Sequence, residues 1–151
     1  MIWALGAVVL SVRPDTGPAL PALELTSLEG RPVNMAAFKG KPTVVNLWAT
    51  WCPPCVREMP VLQQAQRERP GVEFVFLNQG ESAEQVSTWL QARHLPLRNV
   101  LLDATRQAGA AFKQRALPTT LFFDANGRLV STRVGELSAA TLSERLQALA
   151  E

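Results

Sequence analysis

Residues 43–55 read TVVNLWATWCPPC, and this stretch contains Cys52 and Cys55, the two cysteines of the sequence. The apolar, β-branched run before the motif is typical of a buried strand. After the motif, apolar residues recur at the spacing of the buried face of a helix: Val56, Met59 and Leu62. The two cysteines are therefore predicted to lie where a strand turns into a helix.

This position suits thiol chemistry. The attacking species in disulfide exchange is the thiolate, which the unpaired N–H groups and partial positive charge of a helix N-terminus stabilise. Cys52 is expected at that N-terminus. Cys55, one turn further on, is expected beneath the helix, where it can resolve a mixed disulfide. Pro53 and Pro54 are compatible with the first helical positions, because the N–H groups that they lack would be unpaired there.

Two cysteines at this spacing can bond to each other, to a metal or to a partner's thiol. Structural zinc usually takes four protein ligands, and besides the cysteines the sequence offers a single histidine, His94. A copper site shared with a partner stays open. A purely structural disulfide also stays open, although a bridge across so few residues removes little chain entropy. The spacing beside a strand and a helix favours a redox function over these alternatives.

Length and composition indicate one globular domain. The chain has 151 residues, of which 47% are hydrophobic and 19% charged, which is ordinary for a folded protein with its own core. The net charge of +2 is small, and the basic residues are scattered rather than clustered. We therefore expect a protein partner and no binding to nucleic acid.

An apolar segment at residues 2–12, IWALGAVVLSV, precedes a proline-containing linker at residues 13–18. The segment is too short to span a bilayer, and no basic residue precedes it as a signal peptide would require. Two interpretations stay open: the remainder of a membrane anchor or signal segment, which the linker favours, or an extra strand or helix on the domain. We divide the chain into this N-terminal segment, residues 1–18, and a domain, residues 19–151.

Strands and helices alternate through the predicted domain. Strands are predicted at residues 43–48, 72–78 and 100–102, and helices at 53–69, 82–94, 105–113 and 138–150. One hairpin is predicted around a turn at residues 29–32, and a second around Asn126-Gly127, a strong tight-turn signal. This order indicates an α/β sandwich.

Three motifs in order carry a resemblance to a known family: residues 44–55, 117–120 and 123–127, which read VVNLWATWCPPC, LPTT and FDANG. With these motifs the chain resembles thioredoxin-fold thiol:disulfide oxidoreductases of the TlpA/ResA type, from about residue 19 to its end. The resemblance implies a thioredoxin-like α/β fold. Its central mixed β-sheet is flanked by helices and extended by an N-terminal β-hairpin.

The resemblance also implies which residues meet a client protein. In the family, the proline that matches Pro118 is cis, and its loop faces the cysteine pair. There the backbone before the proline can pair with an extended client segment. The residues expected to contact the client are Trp51, Pro53, Pro54, Leu117 and Thr119. Trp51 is expected in an apolar rim around the exposed sulfur, and Trp48 is expected in the core.

An acid near the cysteines is a further expectation of the resemblance. Classical thioredoxin carries a buried aspartate where Asn46 stands, and Asn46 cannot titrate. The ResA-like members place a glutamate near the site, in a pattern similar to residues 78–82, NQGES. We therefore assign Glu81 as the acid coupled to Cys55, the alternative being that Glu81 starts a helix favourably. Arg57 and Glu58, which follow the motif, are expected on a solvated face.

The function implied by the resemblance is thiol–disulfide exchange in the bacterial periplasm or at the outer face of the inner membrane. The protein is expected to be a monomer with no cofactor other than a Cys52–Cys55 disulfide. It would reduce disulfides of client proteins in cytochrome c biogenesis or copper-oxidase assembly. A membrane thiol electron donor would recharge it. A general disulfide oxidase and a copper-binding assembly module that uses the same cysteines remain the alternatives. The peroxidatic pattern of related enzymes is missing before Cys52.

Overall fold

The computed structural model describes residues 17–150. These residues form a seven-stranded sheet with helices on both faces. The strands are β1 (Glu24–Ser27), β2 (Pro32–Asn34), β3 (Thr43–Trp48), β4 (Glu73–Gln79), β5 (Val100–Asp103), β6 (Thr119–Phe123) and β7 (Leu129–Val134). The helices are α1 (Pro53–Glu68), α2 (Ala83–Ala92), α3 (Gln107–Phe112) and α4 (Ala139–Ala150), with a short 3-10 helix at Met35–Phe38.

The sheet is mixed, as predicted. Its order is β2-β1-β5-β4-β3-β6-β7. The neighbours β3, β4 and β5 run parallel, whereas β6 and β7 continue antiparallel on one side. On the other side, the predicted N-terminal hairpin, β1 and β2, joins the sheet by antiparallel pairing of β1 with β5. The fold class and both hairpins are therefore confirmed.

The core lies on both faces of β3, and all six residues of this strand are buried. Side chains alternate between the two faces of a strand. Val44 and Trp48 accordingly pack in the core with residues of α1, α2 and α4. Val45 and Leu47 pack on the opposite face with residues of α3 and the 3-10 helix. Because both faces are covered, the end of β3 is fixed in space, and so is the cysteine motif that follows it.

Two helices are shorter than predicted. The prediction that His94 ends a helix is wrong, because α2 ends at Ala92 and His94 follows with a left-handed φ of 51°. Helix α3 begins at Gln107 rather than 105. The buried carboxylate of Asp103 accepts hydrogen bonds from the N–H groups of Gln107 and Ala108 there. Arg106, the residue before the helix, has a left-handed φ of 57°.

The N-terminal end of the described chain is already attached to the domain. The N–H of Leu129 donates to the carbonyl of Pro18 at 2.8 Å, and Ala19 forms a β-bridge with Arg128. The apolar segment predicted at residues 2–12 lies outside the described residues, so its two interpretations stay open. Among residues 17–150, none of the helices combines the length and hydropathy that crossing a bilayer requires.

Candidate active site

The two cysteines form a disulfide at the start of α1. Cys52 is the N-cap residue, with φ −98° and ψ 105°, and Pro53 and Pro54 occupy the first helical positions. Cys55, one turn into the helix, is bonded to Cys52. Cys52 keeps 4% of its surface exposed, whereas Cys55 keeps none. A partner can therefore approach Cys52 alone of the two.

The proline loop lies at the same end of the sheet as the cysteines. The bond between Leu117 and Pro118 is cis, as the resemblance implies. The next residue, Thr119, begins β6 and pairs with Leu47 of β3. Because β6 runs antiparallel to β3, the start of β6 lies beside the end of β3, where the cysteine motif follows. The structure therefore brings the Pro118 loop to the side of the sheet that carries the disulfide.

The two tryptophans of the motif have different environments. Trp51, directly before Cys52, has 61% of its surface exposed. Trp48 is fully buried, and its ring lies 5.4 Å from that of Trp89, between centroids. The expected core position of Trp48 is thus confirmed. Trp51 is the large apolar side chain that the motif presents to solvent.

Glu81 contacts the loop that leads into the motif. Its carboxylate accepts hydrogen bonds from the backbone N–H of Thr50 at 2.7 Å and from Nδ2 of Asn78 at 2.9 Å. The Thr50 hydroxyl donates to the other carboxylate oxygen. Glu81 precedes α2, whose N-terminus is capped by Ser82 and Gln85. The carboxylate therefore connects the end of β4 to a residue two positions before Cys52.

Glu58 is a second acid at the site, and the prediction that it lies on a solvated face is wrong. Its side chain is 1% exposed. Oε2 accepts a hydrogen bond from the N–H of Leu137 at 2.9 Å, and Oε1 accepts one from Nδ2 of Asn46 at 2.7 Å. Burial raises the pKa of Glu58 from its ordinary value of 4.5 to about 7, although these two hydrogen bonds oppose the shift. Arg57, in contrast, is exposed and pairs with Glu136, as expected.

The spacing of Glu58 gives a signal that the sequence analysis missed. Glu58 lies three residues after Cys55, and both side chains are on the buried face of α1. Side chains at this spacing are neighbours on a helix, with Cβ atoms about 5–6 Å apart. A buried carboxyl is therefore present one turn after Cys55, on the helix that carries the cysteine itself.

Asn46 positions the Glu58 carboxyl from the neighbouring strand. Its Nδ2 also donates to the hydroxyl of Thr120 at 3.1 Å, while its buried Oδ1 has no partner among the described residues. Rotation of the amide by half a turn would aim Oδ1 at Glu58, where it could accept a hydrogen bond from the protonated carboxyl. Asn46, which cannot titrate, thus positions the carboxyl of Glu58, which can.

The metal alternative requires ligands beyond those that the structure places together. Within residues 17–150, no group of three or more histidine, cysteine, aspartate and glutamate side chains is arranged to hold a metal ion. A copper ion could bind Cys52 and Cys55 only after the disulfide is reduced. Any third ligand would have to come from a group that the described residues do not place beside the two cysteines.

Comparison with known proteins agrees with this geometry. The Redoxin family model matches residues 15–149. Among relatives, the thiol-disulfide oxidoreductase ResA of Geobacillus thermodenitrificans is 30% identical over 135 residues, covering 88% of this chain and 77% of the relative. The thiol:disulfide interchange protein DsbE of Vibrio cholerae is 30% identical over 137 residues, covering 89% of this chain and 73% of the relative.

A solved structure gives the same result for the fold. The crystal structure of a secreted Mycobacterium tuberculosis disulfide oxidoreductase superposes with a TM-score of 0.74 and 29% identity, covering 85% of this chain and 96% of that one. The predicted resemblance to ResA-type proteins is confirmed. From the match over nearly its whole length, and from a disulfide at the helix start beside a cis-proline loop, the chain belongs to the Redoxin family.

Proposed function

We propose that this protein reduces disulfides of client proteins through a dithiol–disulfide cycle of Cys52 and Cys55. The observation that carries the proposal is the asymmetry of the pair: Cys52 caps the helix and is slightly exposed, and Cys55 is fully buried on the same helix as the buried Glu58. Relatives named thiol-disulfide oxidoreductase and thiol:disulfide interchange protein support the same chemistry.

The first step of the cycle is the attack on the client. In the reduced protein, the thiolate of Cys52 attacks one sulfur of the client disulfide. An S–S bond forms between Cys52 and the client, and the second client sulfur leaves as a thiolate. The N-terminus of α1 stabilises the attacking thiolate, because its unpaired N–H groups carry a partial positive charge. Pro53 and Pro54 at the first helical positions supply no N–H groups, so this stabilisation comes from the rest of the first turn.

The second step releases the client. Cys55 loses its proton and attacks the sulfur of Cys52, which forms the Cys52–Cys55 disulfide and frees the first client sulfur as a thiolate. Two electrons have then moved from the protein to the client. Glu58 can accept the proton of Cys55, since a carboxyl whose pKa lies at about 7 exchanges protons readily at neutral pH. A thiolate at Cys55 would favour the protonated form of Glu58 further, because like charges repel.

The client segment is proposed to lie along the Pro118 loop. The N–H and C=O groups of Leu117 have no hydrogen-bond partner among the described residues, so they are free to pair with an extended chain. Trp51, Pro53, Pro54 and Leu117 are the proposed contacts. The expectation that Thr119 contacts the client is wrong, because Thr119 is fully buried; its hydroxyl instead donates to the carbonyl of Ala116 in the loop before Pro118.

Location and partners belong to the same proposal. We place the protein in the bacterial periplasm, with a membrane thiol donor that reduces the Cys52–Cys55 disulfide again. Its clients would be proteins of cytochrome c maturation or copper-oxidase assembly. The secreted relative of Mycobacterium tuberculosis supports a location outside the cytoplasm, where disulfides form and persist.

The redox potential tests the direction of the reaction. We expect equilibration with glutathione and dithiothreitol buffers to give a value nearer to about −270 mV, typical of a reductant such as thioredoxin, than to about −120 mV, typical of a strong oxidant. The readout is alkylation of the free thiols followed by mass measurement. A strongly oxidising value would favour the general oxidase. Tight, stoichiometric Cu(I) binding without reduction of insulin would favour the copper module.

Glu81→Gln tests the role of Glu81. We propose that Glu81 positions the Thr50–Cys52 loop, because its carboxylate holds the Thr50 N–H. The substitution replaces a charged acceptor by a neutral one, so we expect a loss of about 1 kcal/mol in the free energy of unfolding. The reaction of Cys52 should slow about three- to tenfold at every pH, since small displacements of reacting groups lower rates.

The pH profile of the Cys55 reaction separates this role from the acid role that the resemblance implies for Glu81. With Glu58 as the acid, the profile should not move in Glu81→Gln. Glu84→Gln, in the exposed first turn of α2, is the matched control. A profile that shifts in Glu81→Gln and not in the control would instead establish Glu81 as the acid coupled to Cys55.

A further inference from the structure

A cleft of about 430 Å³ lies beside the cysteine motif and the Pro118 loop. Leu47, Trp51 and Leu117 form its apolar wall, and Arg106, Gln114 and Arg115 form its polar side. We refer to it as the Trp51 cleft. It thus combines residues that flank the disulfide with Arg106, Gln114 and Arg115, which otherwise take no part in the proposed chemistry.

The polar side of the Trp51 cleft carries positive charge that the described residues leave unpaired. Arg106 and Arg115 are both exposed, and neither forms an ion pair with a carboxylate in residues 17–150. Two acids on the segments that adjoin Arg106 are already engaged in other hydrogen bonds. Asp103 accepts from Gln79 and from backbone N–H groups, and Glu81 accepts from Thr50 and Asn78.

The backbone holds Arg106 in place at this side. Its N–H donates to the carbonyl of Asp103 at 3.2 Å, and its φ is 57°. Its side chain packs against Gly80, where an added Cβ would lie 2.8 Å from Nε of Arg106. The guanidinium therefore lies over the turn that joins β4 to Glu81. A glycine is required here for this approach, and also because φ of Gly80 is 80°.

We infer that the Trp51 cleft binds an acidic side chain, aspartate or glutamate, of the client segment that lies along the Pro118 loop. The carboxylate would pair with Arg106 and Arg115, and the methylene groups would pack on Trp51 and Leu117. The inference rests on the proposed function, because it assumes that a client chain is held at Leu117. It predicts that the client carries an acidic residue close in sequence to the cysteine that Cys52 attacks.

A series of short peptides tests this specificity. Each peptide carries one cysteine and is used as its symmetric disulfide dimer, so that attack on either sulfur gives the same product. Glutamate, glutamine or lysine is placed at one of the three positions on either side of the cysteine, in an otherwise neutral chain. The reduced protein transfers two electrons to the dimer and releases two peptide thiols, which chromatography quantifies. The measured quantity is the second-order rate constant.

We expect glutamate to raise the rate constant about three- to tenfold over glutamine at one or more positions, and lysine to lower it, as exposed charge pairs allow. The advantage of glutamate should disappear in the double variant Arg106→Gln, Arg115→Gln and shrink at high salt. It should persist in Arg31→Gln, which removes an exposed arginine from the β1–β2 turn.

Two results would overturn the inference. Equal rate constants for the glutamate and glutamine peptides at every position would show that the cleft does not distinguish a charged side chain from a neutral one. An advantage of glutamate that survives in the double variant would show that it arises elsewhere. In both cases the peptides are still reduced, so the proposed function stands. If the wild-type protein reduces none of the peptides, the function and the inference fail together.

Discussion

Replacement of Cys52 by serine is expected to lower the rate of disulfide reduction at least about a thousandfold, since the hydroxyl cannot replace the attacking thiolate. Cys55 remains in this variant, but it is fully buried, so a client disulfide cannot reach it. The measurement is the rate of reduction of insulin or of the peptide dimers described above. A variant that retains a substantial rate would show that Cys55 can attack clients directly.

Cys55→Ser is the matched control for Cys52→Ser. It keeps the attacking thiolate and removes only the resolving one, so the mixed disulfide should accumulate instead of breaking down. Mass spectrometry of adducts captured in periplasmic extract would then identify the client. The cysteine of the protein in each adduct should be Cys52. Adducts in comparable amounts on Cys52→Ser would contradict the assignment of roles.

Glu58→Gln is expected to change how the stability of the oxidised protein depends on pH. The pKa of Glu58 rises from 4.5 to about 7 in the folded protein. Between these values the unfolded chain has lost the proton and the folded protein still holds it. The free energy of unfolding therefore falls as the pH rises through this range, by about 3 kcal/mol in total. Glutamine does not titrate, so the variant lacks this loss.

The test of this prediction is urea unfolding of both proteins from pH 4 to pH 8. The free energy of unfolding of Glu58→Gln minus that of the wild-type protein should rise by about 3 kcal/mol across the range, because the titration of all other groups cancels in the difference. Glu68→Gln is the matched control, because it removes an exposed acid from the end of the same helix and leaves the buried site intact. A constant difference for Glu58→Gln would mean that the pKa of Glu58 is the same in the folded protein and in the unfolded chain.

The same substitution should also slow the resolving step. Without the Glu58 carboxylate, Cys55 must lose its proton to water, and we expect the release of the mixed disulfide at pH 7 to slow about a hundredfold. The attack of Cys52 on the client should change much less. Stopped-flow measurement with a client peptide separates the two steps. Equal effects on both steps would indicate general damage to the site instead of loss of a proton acceptor.

The sequence by itself determined the part of the protein where neighbours along the chain decide the structure. The apolar run of β3 and the helical spacing after Cys55 are short-range patterns, and they placed the cysteines at the start of α1 correctly. Asn126-Gly127 similarly marked the turn between β6 and β7. Short-range patterns work here because the period of a strand or helix is a property of the local backbone.

Only the tertiary structure decided which polar side chains are buried at the site. Glu58 follows Arg57 in a helix that has many polar residues, and its own neighbours do not show which of the two faces water. Its burial depends on Asn46, twelve residues before it, and on Leu137, seventy-nine residues after it. The positions of Glu81 beside Thr50 and of Arg106 beside Trp51 likewise depend on how β4 and α3 pack beside β3. A sequence pattern reflects interactions between residues that are close along the chain. The pKa of a carboxyl and the lining of a cleft depend instead on groups that only the folded chain brings together.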